Sequence, residues 1–155
     1  MSEPAKLLEP QTIGLVSGLS NKKKVLVELS EMLAPLAGMS CSLILDGLKT
    51  REKLGSTCIG EGVAIPHCRM AISEPKLVVL KLDEPIEFCK GRAPVDVYFA
   101  LLVPVDEHDE HLRLLSSIAS LARQEGWLDS FRELDSEDAI KALVDDSSSA
   151  LGQLL

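Results

Sequence analysis

Aromatic residues are scarce in this chain. Only 3% of its 155 residues are Phe, Trp or Tyr, so the core has to be built from aliphatic side chains, which are abundant. No stretch approaches the roughly 18 consecutive apolar residues of a membrane span. The first residues carry neither a basic segment nor a long apolar run of the kind that directs export. We therefore expect no membrane insertion and a cytoplasmic location.

Positive charge is also in short supply, since the 16 Lys and Arg residues face 24 Asp and Glu residues and the net charge is −8. Binding along a nucleic acid backbone requires a basic surface, so we do not expect a nucleic acid partner. A protein partner of opposite charge is easier to accommodate. The length is that of one ordinary domain. We expect a single domain over 1–155, with a core of about 10–145 and short flexible tails.

The cysteines show no CxxC spacing and no secretion signal accompanies them, so we predict four reduced thiols. They are Cys41, Cys58, Cys68 and Cys89.

Zinc binding is a separate hypothesis, because the chain has side chains that can bind this metal: His67, Cys68, His108 and His111. Their spacing fits no standard Cys/His zinc pattern, and we predict no metal and no cofactor.

Helical and strand patterns alternate along the chain. A near-continuous apolar run at 93–104 predicts a strand that is buried on both faces. This mixture predicts a layered α/β domain. Strands are predicted at 12–20, 76–82, 84–88 and 93–104, and helices from 20 or 21 to a stop at Pro35 and Gly38, and at 41–53, 106–123, 127–134 and 136–146. The buried stripe of the second helix is predicted to be Leu43, Ile44, Gly47, Leu48 and Leu54.

The segment "GSTCIGEGVAIPH" predicts a hairpin, in which runs at 57–59 and 63–65 flank a loop at 60–62. In that register Ile59 faces Val63, and Thr57 faces Ile65. Pro66 has a fixed φ and no N–H, so it stiffens the end of the strand. Continuing outward, Ser56 and Gly55 come level with Pro66 and His67, so we expect His67 to emerge there together with the nearby hydroxyls.

Cationic side chains flank this histidine, with Arg51 at the end of the second helix and Arg69 two residues after His67. A neutral imidazole with arginines and hydroxyls (Ser56 and Thr57) is suited to a phosphoryl group, because positioned cations and donors stabilise its transfer. His111, near the start of the helix at 106–123, shares the inward face of that helix and is a further candidate.

Simpler interpretations stay open for each of these residues. Arg51 could pair with Glu28 or Glu31, His111 could cap its helix, and Ser56 and Thr57 could be ordinary turn residues. His108 is predicted to be exposed.

Three blocks, "TREKLGSTCIGEGVAIPHCR", "PVDVYFALLVP" and "HLRLLSSIASLA", resemble the enzyme IIA domains of the bacterial phosphoenolpyruvate-dependent phosphotransferase system. The likeness is to the mannitol/fructose-type superfamily, most closely to its nitrogen-regulatory branch, and covers about residues 10–145. It implies a three-layer α/β/α sandwich around a mixed sheet. Family members often have glycine where this chain has Cys58 and Cys68, so a thiol lies beside the histidine.

The resemblance also implies a function. His67 would accept phosphate from a phosphohistidine on an HPr-type carrier protein, with Arg51 and His111 lining the site. The phosphorylation state would then control partner proteins such as potassium transporters or kinases. Two alternatives are a sugar-specific enzyme IIA that passes phosphate to a IIB domain, and a binding adaptor that is not phosphorylated.

Overall fold

The structure is a computed structural model that describes residues 12–106 and 108–154, apart from the side chains of 108–111 and 147–154. Its strands are β1 (Thr12–Val16), β2 (Cys58–Gly60), β3 (Val63–Ala64), β4 (His67–Met70), β5 (Lys76–Ile86) and β6 (Val95–Pro104). Its helices are α1 (Lys22–Ala37), α2 (Cys41–Leu54), α3 (His108–Arg123), α4 (Trp127–Glu133) and α5 (Glu137–Leu154).

The strands form one mixed sheet in the order β1-β5-β6-β3-β2, with β4 also paired to β6. β1 runs parallel to β5, and β3 and β4 run parallel to β6, whereas the β5–β6 and β2–β3 pairs are antiparallel. The predicted mixed sheet is confirmed.

Strand β6 divides the core in two, because its alternate side chains enter different apolar clusters. Phe99 and Leu101 pack with residues of α3, α4 and α5, whereas Tyr98 and Leu102 pack with residues of α1 and α2. The predicted burial of this strand on both faces is confirmed. The sheet therefore lies between two helical layers, as in the α/β/α sandwich that the sequence resemblance implies.

Helix α1 passes through Pro35, the first of its two predicted stop residues, and stops at the second, Gly38. A proline in the last turn removes one N–H from the helix, and the helix tolerates that loss close to its end. Gly38 adopts a left-handed conformation with φ of 63°, and its N–H donates to the Ala34 carbonyl. Glycine therefore sets this boundary.

The predicted buried stripe of α2 was partly wrong. Ile44 and Leu48 are fully buried, but Leu43 is 55% exposed and Leu54 is 80% exposed. Gly47 lies where the helix meets β4, since a Cβ there would come within 2.5 Å of Met70 Cε and 2.9 Å of Cys68 Sγ. The missing side chain allows this close approach.

Further boundaries differ from the prediction, and β1 ends at Val16 rather than at residue 20. Residues 76–82 and 84–88 were predicted as separate strands, but β5 runs from Lys76 to Ile86 with an irregularity in its register after Lys81. Helix α5 was predicted to end at 146, but its backbone continues to Leu154 because no proline interrupts the hydrogen-bond ladder.

Candidate functional site

The hairpin at 57–65 forms, with a loop one residue shorter than predicted. Gly60 pairs with Val63, so Glu61 and Gly62 make the turn, both with positive φ. The predicted pairing of Ile59 with Val63 was wrong by one residue. The Ile65 N–H donates to the Thr57 carbonyl at 2.9 Å, as the predicted facing of these two residues requires.

His67 does not lie at a strand exit, because it is the first residue of β4. Strands β3 and β4 follow β6 in one continuous register, since Val63 pairs with Val97 and His67 with Leu101. Pro66 separates them and accepts a hydrogen bond from the Leu101 N–H. The hydrogen-bond ladder along β6 is interrupted at Pro66, between β3 and β4, because proline has no N–H to donate. The chain still runs alongside β6 through this residue.

The imidazole of His67 has one defined tautomer. Its Nδ1 is 2.7 Å from the Ile65 carbonyl oxygen, which can only accept, so Nδ1 carries the hydrogen. The lone pair therefore lies on Nε2, to which Arg51 Nε donates at 3.3 Å. The residue is only 7% exposed, although we expected it to emerge at the end of the hairpin.

Burial keeps this imidazole neutral. Removal of His67 from water is the largest cause that lowers its pKa below the ordinary value of 6.5, and the Arg51 charge acts in the same direction. The Ile65 carbonyl and the Glu52 carboxylate oppose this shift, since both favour the protonated ring. The net lowering of the pKa leaves a lone pair available on Nε2 at neutral pH.

A cavity of about 550 Å³ opens beside this histidine, between α2 and β4. Three predicted residues line it, Arg51, His67 and Arg69, and the lining also includes Leu54 and the carboxylate residue Asp46. We call this space the His67 cavity. It brings two guanidinium groups and one neutral imidazole to the same volume.

Arg51 is held by neutral partners. Besides His67 Nε2 it donates to the Gly55 carbonyl oxygen at 3.0 Å through Nη1. No described carboxylate lies within ion-pair distance of it, and the pairing with Glu28 or Glu31 is not formed. A guanidinium without a counter-ion, at the edge of a cavity, is available to a bound anion.

The two predicted hydroxyl residues lie elsewhere. The Thr57 hydroxyl donates to the carboxylate of Glu52, and both side chains are buried. Ser56 Oγ lies 3.0 Å from Cys89 Sγ and accepts from Arg92 Nη1 at 3.2 Å. Neither residue lines the His67 cavity as the structure describes it.

Glu52 is the residue that sequence reasoning missed. Its side chain is 3% exposed, accepts from Thr57 and forms an ion pair with Lys22 Nζ at 3.3 Å. Its charge also raises the pKa of the neighbouring His67. The only sequence signal was its position between Arg51 and Lys53, where a surface pairing is the ordinary expectation.

The prediction for His111 cannot be followed to its side chain, which lies outside the described residues together with that of His108. The backbone of both residues belongs to α3. His67 shares a strand register with Leu101, whose side chain packs in the cluster beneath that helix.

The prediction of four reduced cysteines was wrong. Cys58 and Cys89 form a disulfide, because the hairpin and the loop after β5 bring together residues 31 positions apart. Cys68 and the exposed Cys41 are free. Burial raises the pKa of the Cys68 thiol to about 12, so this neighbour of His67 stays a protonated and unreactive thiol at neutral pH.

The other sequence expectations concern metal binding and membrane insertion. Within 12–106 and the described side chains of 112–146, no three His, Cys, Asp or Glu residues cluster as metal ligands would. None of the described helices is long and apolar enough to cross a bilayer.

Comparison with known proteins identifies relatives of this chain. It is 40% identical over 129 residues to the nitrogen regulatory protein of Pseudomonas aeruginosa, covering 81% of this chain and 84% of that protein. The crystal structure of nitrogen regulatory protein IIA-Ntr from Neisseria meningitidis superimposes with a TM-score of 0.76 at 32% identity, covering 86% of this chain and 92% of that one.

A more distant likeness concerns the fold alone. IIA mannitol from Escherichia coli superimposes with a TM-score of 0.72 at 18% identity, covering 85% of this chain and 94% of that one. The sequence profile described as "Phosphoenolpyruvate-dependent sugar phosphotransferase system, EIIA 2" matches residues 6–147. With the site geometry beside it, this match shows that the chain belongs to the EIIA 2 family of the phosphotransferase system.

Proposed function

We propose that the chain is a phosphoryl-accepting regulatory protein of the nitrogen-related phosphotransferase branch, acting in the cytoplasm. One geometric observation carries the proposal: the neutral imidazole of His67 presents its Nε2 lone pair to Arg51, a cation without a carboxylate partner among the described residues. The similarity to nitrogen regulatory proteins supports the choice of branch.

The reaction follows from the tautomer. Nε2 of His67 attacks the phosphorus of a phosphohistidine on an HPr-type carrier protein, and the P–N bond to the carrier breaks. The carrier's phosphohistidine ring enters protonated on its other nitrogen, so it leaves with the bonding electron pair as a neutral imidazole, while the His67 ring becomes positively charged. The Ile65 carbonyl accepts from Nδ1–H, so it stabilises the charge that develops on the ring.

Arg51 has a second part in this step. Before reaction the Arg51 Nε–H donates to the lone pair of His67 Nε2. The guanidinium therefore has to release this nitrogen and donate to a phosphoryl oxygen as the phosphorylated carrier enters. Charge spreads over the equatorial oxygens in phosphoryl transfer, and a planar guanidinium can contact two of them. Arg69 lines the same cavity, and we assign His111 to the same site.

The product supplies the regulatory signal. A phosphoryl group adds about two negative charges beside α2, enough to create or break a protein interface. We expect the two states of His67 to be distinguished by downstream proteins such as potassium transporters or kinases.

The test is incubation with phosphoenolpyruvate and the two upstream carrier proteins. We expect one acid-labile phosphate per chain, located on His67 by mass spectrometry. His67→Ala should take up none, and labelling equal to that of the unaltered protein would refute the assignment. His111→Ala should be labelled on His67 more slowly, and an unchanged rate would remove His111 from the mechanism.

A further assay separates the regulatory function from its closest alternative. Phosphorylated protein is mixed with a purified sugar-specific IIB domain. Retention of the phosphate on His67 supports the regulatory function, whereas rapid transfer supports a sugar-specific enzyme IIA. Failure to accept phosphate from any carrier would leave the adaptor hypothesis.

A further inference from the structure

A second concave surface lies on the other side of α2 from the His67 cavity. It has a volume of about 430 Å³, and four lysines from the start of α1 and the end of α2 surround it. We call it the lysine groove, formed by Lys22, Lys23, Lys49 and Lys53. In a chain with a net charge of −8, this concentration of cations is a local inversion of charge.

The difference in charge between the lysine groove and the rest of the molecule is larger than the net charge alone implies. After residue 92 the sequence has 13 Asp and Glu residues and only four Lys and Arg residues. The negative charge is therefore concentrated in the segment that forms β6 and α3 to α5. The helices that border the lysine groove come from the other part of the chain.

The single carboxylate of the lysine groove is already engaged. Glu52 is buried, with one oxygen on Thr57 and the other on Lys22. Lys22 also lies over the Phe88 ring, with Nζ 4.9 Å from the ring centroid. Lys22 is thus fixed in place, and its charge is largely compensated.

The other three lysines of the groove have no such compensation. Lys23, Lys49 and Lys53 have no carboxylate within ion-pair distance among the described residues. Ammonium groups gathered around a depression attract an anionic partner, because their potentials add where solvent is partly excluded.

An apolar side chain adjoins these charges. Leu54 follows Lys53 directly, is 80% exposed, and lies on the rim of the His67 cavity. Leu26 contributes to the lining of the groove itself. An exposed leucine flanked by cations matches a ligand that carries apolar and acidic groups together.

We propose that the lysine groove and Leu54 together form a docking surface for an acidic amphipathic segment of a partner protein. The partner's carboxylates pair with Lys23, Lys49 and Lys53, and one of its apolar side chains covers Leu54. A nucleic acid fits less well, because it offers no aliphatic group for Leu54 and the molecule as a whole is acidic.

The position of this surface couples it to His67, a step that rests on the proposed function. Lys49 and Lys53 are each two residues from Arg51 on α2, which places them on the opposite side of the helix, and Arg51 contacts His67 Nε2. A phosphoryl group there adds about two negative charges in the cavity that Leu54 lines, so it lies against the apolar part of the docking surface and across α2 from its lysines. Phosphorylation therefore weakens binding of this partner, and the unmodified protein is the binding form.

The probe is a fluorescent 18-residue peptide of Leu and Glu in an amphipathic helical pattern, with a Leu/Gln peptide as its neutral counterpart. Anisotropy is measured in low salt and in 150 mM salt. We expect the acidic peptide to bind at least tenfold more tightly than the neutral one, and salt to weaken it. Equal binding of both peptides, or binding of neither, would overturn the proposal.

Substitutions locate the binding. Lys49→Glu with Lys53→Glu should weaken the acidic peptide at least tenfold. Arg123→Glu with Lys141→Glu makes the same charge change elsewhere and should alter affinity less than twofold. Equal losses in the two double variants would overturn the proposal. Should the first pair fail to fold by circular dichroism, Lys49→Gln with Lys53→Gln replaces it, with the same outcomes.

Two other anions test the class of partner. A 20-nucleotide oligothymidylate and vesicles with 30% anionic lipid are offered to the same variants. The choice of a protein segment would be overturned if the oligonucleotide or the vesicles bound more tightly than the peptide and if Lys49→Glu with Lys53→Glu abolished that binding. Leu54→Ser should weaken the peptide and leave the oligonucleotide unchanged, and the opposite result would count against the apolar contact.

The coupling is measured separately. Phosphoramidate, a small P–N donor, is used to phosphorylate the protein, releasing ammonia as Nε2 takes the phosphoryl group. We expect at least threefold weaker peptide binding after modification. If phosphate is incorporated and affinity is unchanged, the coupling is wrong. If none is incorporated by this donor or the carriers, the proposed function fails, while the peptide results still decide the docking surface.

Discussion

Arg51 and Arg132 lie at opposite ends of the hairpin region and are held in contrasting ways. Arg132, in α4, makes a bidentate pair with Asp96 and donates to the Glu61 carbonyl at the hairpin tip. Arg51 contacts a neutral ring and a backbone carbonyl. The first guanidinium has its charge matched and joins two elements of the fold. The second has no carboxylate partner in the described part of the chain, which leaves it for a substrate.

The largest effect should come from removing Arg51. Arg51→Ala should slow phosphoryl acceptance from the carrier about a hundred- to a thousandfold, the usual loss for one positioned donor. Urea unfolding should show almost the same free energy as the unaltered protein, because no ion pair is lost. Arg51→Lys is the matched control and should recover part of the rate. Transfer by Arg51→Ala at the original rate would remove the distinction between the two arginines.

The second largest effect should come from reducing the disulfide. This bond fixes the hairpin near its base, whereas Arg132 fixes its tip. Reduction of the disulfide should lower the free energy of unfolding by about 3–4 kcal/mol in the chain-entropy treatment of a 31-residue separation. Urea unfolding with and without reductant measures this. Cys58→Ser with Cys89→Ser should not respond to reductant. Alkylation of four thiols in unreduced, denatured protein would show that the bond does not form.

A smaller loss is expected for Arg132→Ala, about 1–3 kcal/mol, because Asp96 and the Glu61 carbonyl lose their donor. Phosphoryl acceptance per folded molecule should stay unchanged, the reverse of the result for Arg51→Ala. A tenfold loss of rate with unchanged stability would mean that Arg132, too, acts on the phosphoryl group.

The smallest effect concerns pH. We expect a nuclear magnetic resonance titration of His67 to give a pKa below 6.5, and Arg51→Ala to raise it, since the Arg51 charge lowers it now. The folded state binds the proton less readily than the unfolded state. The lowered pKa of His67 therefore makes the folded state more stable above pH 6.5 than at acidic pH. That stability is lost as the pH falls towards and through the folded pKa, because protons then favour the unfolded state. A pKa at or above 6.5 would contradict the effect of burial.

Local patterns predicted much of this molecule. Glycine spacing predicted the hairpin, continuous apolar sequence predicted β6, and the spacing from Arg51 to His67 indicated two side chains that the structure places in contact. The roles of these two residues stay predictions.

Contacts between distant segments were not predictable in the same way. The bond from Cys58 to Cys89 and the burial of Glu52 depend on how hairpin, loop and helices pack, which no local spacing encodes. The exposure of Leu54 has the same origin, since α2 ends there and leaves this side chain outside the packed core.

The disulfide also determines how the site will appear in peptide mapping. Trypsin cleaves after Lys and Arg, so His67 and Cys58 lie together in the fragment 54–69, and Cys89 lies in the fragment 82–90. Without reductant these two fragments migrate as one species joined through sulfur. A phosphate on His67 will therefore be found at the summed mass of both fragments, and a search for 54–69 alone will miss it.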